Sequence, residues 1–246
     1  MTPLVLLHAF PLDAQMYRGV TEHVSDRVVT PDLPGFGGTA RPKDDPSLDV
    51  YADAIAAELD RIGLGQIVIG GTSMGGYTTM AFCRRHGDRV AGLALIDTKA
   101  SADAPEAADG RRAMAAHMED GRTTEPLLEL VFPKLLGATT LSERAEVAEL
   151  VRGWVRDAPA ASAAWAQRAM SVRPDSFDTL AGLGVPAVVV VGAEDVLTPP
   201  QEAEAMANAL PNAEYVLVER AGHLTPVEAT QEVSDALDAL MRRVDG

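Results

Sequence analysis

The stretch over residues 66–97, QIVIGGTSMGGYTTMAFCRRHGDRVAGLALID, limits what this chain can fold into more than any other. Ile67, Val68 and Ile69 form an apolar run that reads as a fully buried strand. It enters Gly71-Thr72-Ser73-Met74-Gly75, a G-x-S-x-G pattern. Residues 77–85 then read as a helix and 90–96 as a second buried strand. A strand, a tight turn with serine at its apex and a helix are the setting in which a serine is lifted off the end of a sheet. The flanking glycines have a steric reason. In so sharp a turn, a side chain two residues to either side of the serine would collide with neighbouring backbone. The helix that follows directs its free N–H groups and positive dipole end toward the serine.

The rest of the chain repeats this rhythm. Residues 4–7 read as a short buried strand ending in the loop His8-Ala9-Phe10-Pro11-Leu12-Asp13. A short helix over 14–24 and a strand over 27–30 follow. Then comes Pro31-Asp32-Leu33-Pro34-Gly35-Phe36-Gly37-Gly38, too rich in Gly and Pro to be anything but loop. Residues 48–62 place Ala52, Ile55, Ala56, Leu59 and Ile62 at helical spacing, and Gly63 and Gly65 end that helix. Strands alternating with helices predict βαβ units and a parallel sheet. From 98 to 180 the rhythm breaks. No strand is evident, and helical periodicity is interrupted at Gly121, Pro133, Gly137, Pro159 and Pro174, which reads as roughly four short helices. The α/β pattern resumes with a strand over 187–192, a helix over 200–209, a strand over 214–218 and a final amphipathic helix to about 243. The chain therefore divides into a core of 1–97 plus 181–246 and a helical insertion of 98–180.

A serine needs a base to take its proton and a third group to orient that base. In an open parallel sheet, functional groups gather at the carboxyl ends of the strands. Ser73, Asp195 and His223 each follow a predicted strand, in that chain order. Glu194 adjoins Asp195 and competes for the third role. Of the other histidines, His23 and His86 sit near helix ends and His117 lies in the insertion. His8 directly precedes a loop facing Ser73.

Charge and composition exclude several alternatives. A net charge of −15 disfavours nucleic acid or an anionic membrane as partner. The single cysteine, Cys83, permits no internal disulfide and falls on the apolar face of its helix. No His/Cys cluster has metal-ligand spacing, so neither a metal nor an organic cofactor is expected. No signal peptide and no apolar run of membrane-spanning length is evident, and the expectation is a cytoplasmic protein.

The loops His8-Ala9-Phe10-Pro11-Leu12-Asp13 and Asp32-Leu33-Pro34-Gly35-Phe36-Gly37 resemble those of the α/β-hydrolase superfamily. So do Gly71-Thr72-Ser73-Met74-Gly75-Gly76, the Asp195 loop and Ala221-Gly222-His223. The nearest branch is that of small esterases, enol-lactonases, perhydrolases and carbon–carbon hydrolases. The resemblance spans almost the whole chain and is specific for fold and machinery, less so for substrate. It implies a triad of Ser73, His223 and Asp195, the acid being placed by the G-x-x-D spacing. It also implies an oxyanion hole from the backbone N–H groups of Phe10 and Met74. Residues 98–180 fall where the family carries its lid, which makes Phe132, Trp154 and Trp165 candidate pocket walls beside His8, Leu197 and Leu224. Phe10, Met74 and Leu197 carry no charge, which predicts a small, largely apolar substrate.

Two features depart from the family. Ala9 stands where Gly is usual, and it keeps the turn if its φ stays negative. Only seven residues precede His8, too few for the two strands with which the family usually begins. The expectation is therefore a six-stranded, all-parallel sheet with its edge at Val28-Val29, covered there by a dimer contact or by a loop, in a monomer or a homodimer. The implied activity is hydrolysis of carboxylic esters or lactones through an acyl-enzyme on Ser73. Carbon–carbon bond cleavage by the same triad remains open, with Arg41, Lys43, Arg84 and Arg168 as the cations weighed for an acidic substrate. A non-catalytic small-ligand receptor remains open as well.

Overall fold

The computed structural model describes residues 2–24 and 27–246. Strand β1 (Leu4–Leu7) leads through a 3₁₀ turn, Ala14–Tyr17, into α1 (Arg18–His23) and the two-residue strand β2 (Val28–Val29). Helix α2 (Leu48–Arg61), strand β3 (Ile67–Thr72), helix α3 (Met74–His86) and strand β4 (Val90–Ile96) complete the first half of the core. Seven helices follow: α4 (Pro105–Gly121), α5 (Glu125–Leu130), α6 (Phe132–Leu135), α7 (Ala138–Glu143), α8 (Ala145–Asp157), α9 (Ala160–Ser171) and α10 (Phe177–Ala181). The core resumes with β5 (Ala187–Gly192), α11 (Pro200–Ala209), β6 (Ala213–Val218), α12 (Thr225–Glu228) and α13 (Thr230–Asp245).

The six strands form one parallel sheet in the order β2-β1-β3-β4-β5-β6. Its central strands read as continuous apolar runs because both faces are covered by helices. Every residue of β1, β3 and β5 is buried. Helix α3 packs against β1, β3 and β4, and α13 against β4 and β5. The edge at β2 is as expected, and at two residues it offers little backbone to a foreign strand. Among the described residues, no helix is long and apolar enough to cross a membrane. Cys83 is buried in α3, and burial pushes its thiol up to about 12.

The insertion holds more helices than its interruptions imply. Gly121 ends α4, Gly137 precedes α7 and Pro159 precedes α9, while Pro133 sits in the first turn of α6. Pro105 and Pro126 likewise open α4 and α5. Proline lacks the N–H that the first turn leaves unpaired, so it starts helices as readily as it stops them. Helices α4 and α9 pack on one another, and Trp165 of α9 stacks 4.8 Å from the Tyr51 ring of α2. That contact ties the insertion to the core.

Candidate active site

The turn after β3 has the steric character its glycines imply. A Cβ on Gly71 would lie 2.3 Å from the Gly75 carbonyl carbon, and one on Gly75 would lie 1.9 Å from the Leu7 carbonyl oxygen. Neither position accepts a side chain. Between them Ser73 holds φ 56° and ψ −112°, a region that non-glycine residues seldom occupy. The strain is fixed on both sides: the Ser73 N–H donates to the Ile96 carbonyl, and the Ser73 carbonyl accepts from Tyr77 N–H and Thr98 Oγ1. Thr72 and Met74, its neighbours, are fully buried.

Two other strands bring partners to this apex. His223, in the loop after β6, places Nε2 2.8 Å from Ser73 Oγ and Nδ1 2.7 Å from Asp195 Oδ2. An ionised carboxylate only accepts, so Nδ1 carries the proton and Nε2 offers its lone pair to the serine hydroxyl. Asp195 Oδ1 accepts the Leu197 and Thr198 amides at 2.8 and 3.0 Å, and Oδ2 also accepts Thr198 Oγ1 at 2.8 Å. Burial raises the affinity of Asp195 for a proton, but the adjoining His223 and these donors outweigh it and hold the carboxyl below its ordinary value. For His223 burial pulls the other way, and the Asp195 carboxylate overcomes it, so the imidazole stands above 6.5. Glu194, the rival for this place, turns instead to the insertion: it accepts Thr139 N–H at 2.8 Å and Thr139 Oγ1 at 2.5 Å.

A cavity of about 230 Å³ opens beside Ser73 and His223. Phe10, Leu197 and Thr198 form its wall from the core loops, and Ala107, Val131, Leu135 and Met170 its wall from the insertion. The amides of Phe10 and Met74 make no hydrogen bond to any described residue. Met74 opens α3, where helix geometry leaves the N–H free.

Most of the pocket walls inferred from sequence lie elsewhere. His8 is fully buried: its Nε2 accepts the Leu33 amide at 3.0 Å and Nδ1 donates to the Ala9 carbonyl. Burial lowers its pKa, and it serves as a neutral peg between two loops. Leu224 is also fully buried, within the turn that closes on Glu228. Phe132 packs under the Arg152 guanidinium, 4.3 Å from its ring centroid, and joins α6 to α8. Trp165 donates to the Asp44 carbonyl and faces Tyr51. Trp154 lines a separate, larger cleft of about 790 Å³ between α8 and the loop of Gly35 and Phe36. Aromatic side chains in the insertion hold its helices to one another and to the core, which is where large apolar surface contributes most. Ala9 keeps a negative φ, so its methyl group leaves the turn intact.

The expectation of an uncharged lining is also corrected. Lys99, Asp103 and Arg111 reach the cavity from the segment after β4 and from α4. Nothing in the spacing of that segment distinguished them from surface charges. Two further residues escaped sequence reading. Asp97, at the end of β4, accepts the Gly192 amide and both the amide and hydroxyl of Thr225, and burial together with the nearby Asp195 pushes it up to about 8. Glu228 accepts the amides of Gly222 and Leu224 on either side of His223 and that of Gly137 from the insertion.

Residues 2–230 match the family model described as alpha/beta hydrolase fold. A thermophilic esterase from Thermogutta terrifontis superposes with a TM-score of 0.95 at 38% identity, covering 100% of this chain and 91% of that one. The enol-lactonase from Burkholderia xenovorans LB400 superposes with a TM-score of 0.88 at 23% identity, covering 98% and 92%, a likeness of fold. The dihydrolipoyllysine-residue acetyltransferase component of the acetoin cleaving system of Pseudomonas putida is 28% identical over 251 residues. The match covers 98% of this chain and 64% of that protein's length.

Proposed function

This chain belongs to the alpha/beta hydrolase fold family, and from that premise we propose that it is a serine hydrolase of small carboxylic esters or lactones. One observation carries the reading. The hydrogen bonds from Ser73 Oγ to His223 and from His223 to Asp195, 2.8 and 2.7 Å long, open on a cavity of about 230 Å³. The likeness to the Thermogutta terrifontis esterase, at 38% identity over the whole chain, supports it.

In this reading His223 Nε2 takes the serine proton as Oγ attacks the acyl carbon. Asp195 stabilises the imidazolium that forms and keeps its ring in register. The Met74 and Phe10 amides receive the oxyanion, and loss of one such donor typically costs ~10²–10³ in rate. The imidazolium gives its proton to the leaving alkoxide, leaving an acyl-enzyme. Water, deprotonated by the same imidazole, then releases the acid. The insertion over residues 98–180 acts as the lid, supplying more than half of the residues that line the cavity and excluding bulk water.

The test is intact-protein mass after brief exposure to a fluorophosphonate, followed by turnover of p-nitrophenyl esters and lactones. One adduct on the unmodified protein, none on Ser73→Ala, and ester turnover are expected. A folded protein that takes up no adduct and turns over no ester overturns the reading in favour of a non-catalytic receptor.

A further inference from the structure

We infer that the ester cleaved here carries a carboxylate, which Lys99 and Arg111 hold inside the Ser73 cavity. The inference rests on the serine hydrolase reading and adds to it a class of substrate.

The chain as a whole is strongly acidic, with a net charge of −15, yet this cavity is not. Besides His223, its charged lining side chains are Lys99, Arg111 and Asp103. The Asp103 carboxylate is already engaged from behind. Arg173, which does not line the cavity, donates to it with Nη2 at 2.9 Å and places Nη1 2.8 Å from its other oxygen as an ion pair. Arg173 is itself nearly buried, with its guanidinium 4.1 Å over the Tyr77 ring. Arg111 adds Nε at 2.6 Å. Burial favours the protonated acid, but these two guanidinium groups outweigh it and hold Asp103 at about 2. Glu202 also acts on Arg173, and it accepts Ser101 Oγ outside the cavity.

With Asp103 shared by Arg111 and Arg173, and Glu202 acting on Arg173, one positive charge faces the cavity in excess, carried by Lys99 and Arg111. Lys99 Nζ lies 3.7 Å from Asp103, too far for a hydrogen bond. Arg111 turns Nη1 to Gln167 Oε1 at 3.0 Å and keeps Nη2 free of any described residue. Both side chains are largely withdrawn from solvent, at 20% and 24% exposure. A neutral apolar acyl chain placed here would strip water from two cations and return nothing. A carboxylate would supply charge-assisted hydrogen bonds to both. The cavity of about 230 Å³ suits a short chain. The fitting class is the half-ester of a short dicarboxylic acid, or a lactone of that size bearing a carboxylate. Hydrolysis breaks the acyl C–O bond, adds the elements of water, and yields the dicarboxylate, an alcohol and one proton.

The experiment compares monomethyl glutarate with methyl glutaramate, the neutral amide of nearly the same shape, by proton release in a pH-stat. The expected kcat/KM is at least about tenfold higher for the carboxylate ester. Lys99→Met brings the ratio between the two esters toward unity, and Lys99→Glu inverts it. A purely structural defect would lower both esters together and leave the ratio in place. In Ser73→Ala protein, monomethyl glutarate binding measured by calorimetry weakens about tenfold when Lys99→Met is added. An enzyme that labels at Ser73 but shows no preference for the carboxylate, or keeps its preference in both Lys99 variants, overturns this inference and leaves the hydrolase reading standing. An enzyme that does not label at Ser73 fails at the hydrolase reading, and the inference falls with it.

Discussion

Both oxygens of Asp195 are occupied, by two loop amides, the Thr198 hydroxyl and His223. That saturation keeps the acid ionised inside the protein and makes it the source of the raised basicity of His223. The sign of the pH dependence follows. The base works only when neutral, so kcat/KM falls as pH drops through the His223 pKa, and the acid limb lies above 6.5. Asp195→Asn removes the charge that stabilises imidazolium. It is expected to shift that limb downward and to lower kcat by about 10³–10⁴-fold, read from pH–rate profiles of the two proteins. Thr198 is a residue that only the structure brings into this argument. A threonine six positions past a predicted strand has no signature of its own.

At the scale of elements, the strand–turn–helix unit around Ser73 tolerates no added carbon. Gly75→Ala drives a methyl group into the Leu7 carbonyl of the neighbouring strand, with a separation of 1.9 Å before relaxation. A loss of about 3 kcal/mol or more is expected, visible as a lowered Tm or as failure to fold. The insertion is joined to the core by charge as well as by packing. Asp103 binds Arg111 of α4 and Arg173 beyond α9, and its replacement by Asn removes the carboxylate that the two guanidinium groups share. Asp103→Asn is expected to cost about 3 kcal/mol near neutral pH, measured by chemical unfolding. Because the folded-state pKa is depressed, to about 2 from 3.8, the advantage of the native protein is complete above pH 4 and vanishes as pH falls toward 2. At the other end of the insertion, Glu228 gathers amides from Gly137, Gly222 and Leu224. Glu228→Ala strands three buried N–H groups around His223, and a fall in kcat larger than the rise in KM is expected, from steady-state kinetics on a neutral ester.

Across the whole molecule, each role in the proposed chemistry has a named group of the chain: nucleophile, base, orienting acid and two amides for the oxyanion. Dialysis against EDTA is therefore expected to leave ester turnover unchanged, and a loss restored by a divalent metal would count against the mechanism. What the linear sequence determined is the sheet and its apex. Apolar runs of strand length, separated by helical periodicity, admit one economical arrangement, and the spacing of Gly71, Ser73 and Gly75 is set by a local turn whose sterics need no distant partner. The order Ser73, Asp195, His223 was readable because residues at the ends of parallel strands converge whatever lies between them. The pocket was decided only in three dimensions. Whether Trp154 or Leu135, Arg168 or Arg111, faces Ser73 depends on how seven short helices turn on the core. That orientation is set by contacts such as Trp165 on Tyr51 and Arg173 on Asp103, between residues 114 and 70 positions apart. Helical periodicity tells which residues share a face, but not what that face meets. An ion pair at long range carries no local pattern, and so the charged wall of the cavity lay outside what the sequence alone could say.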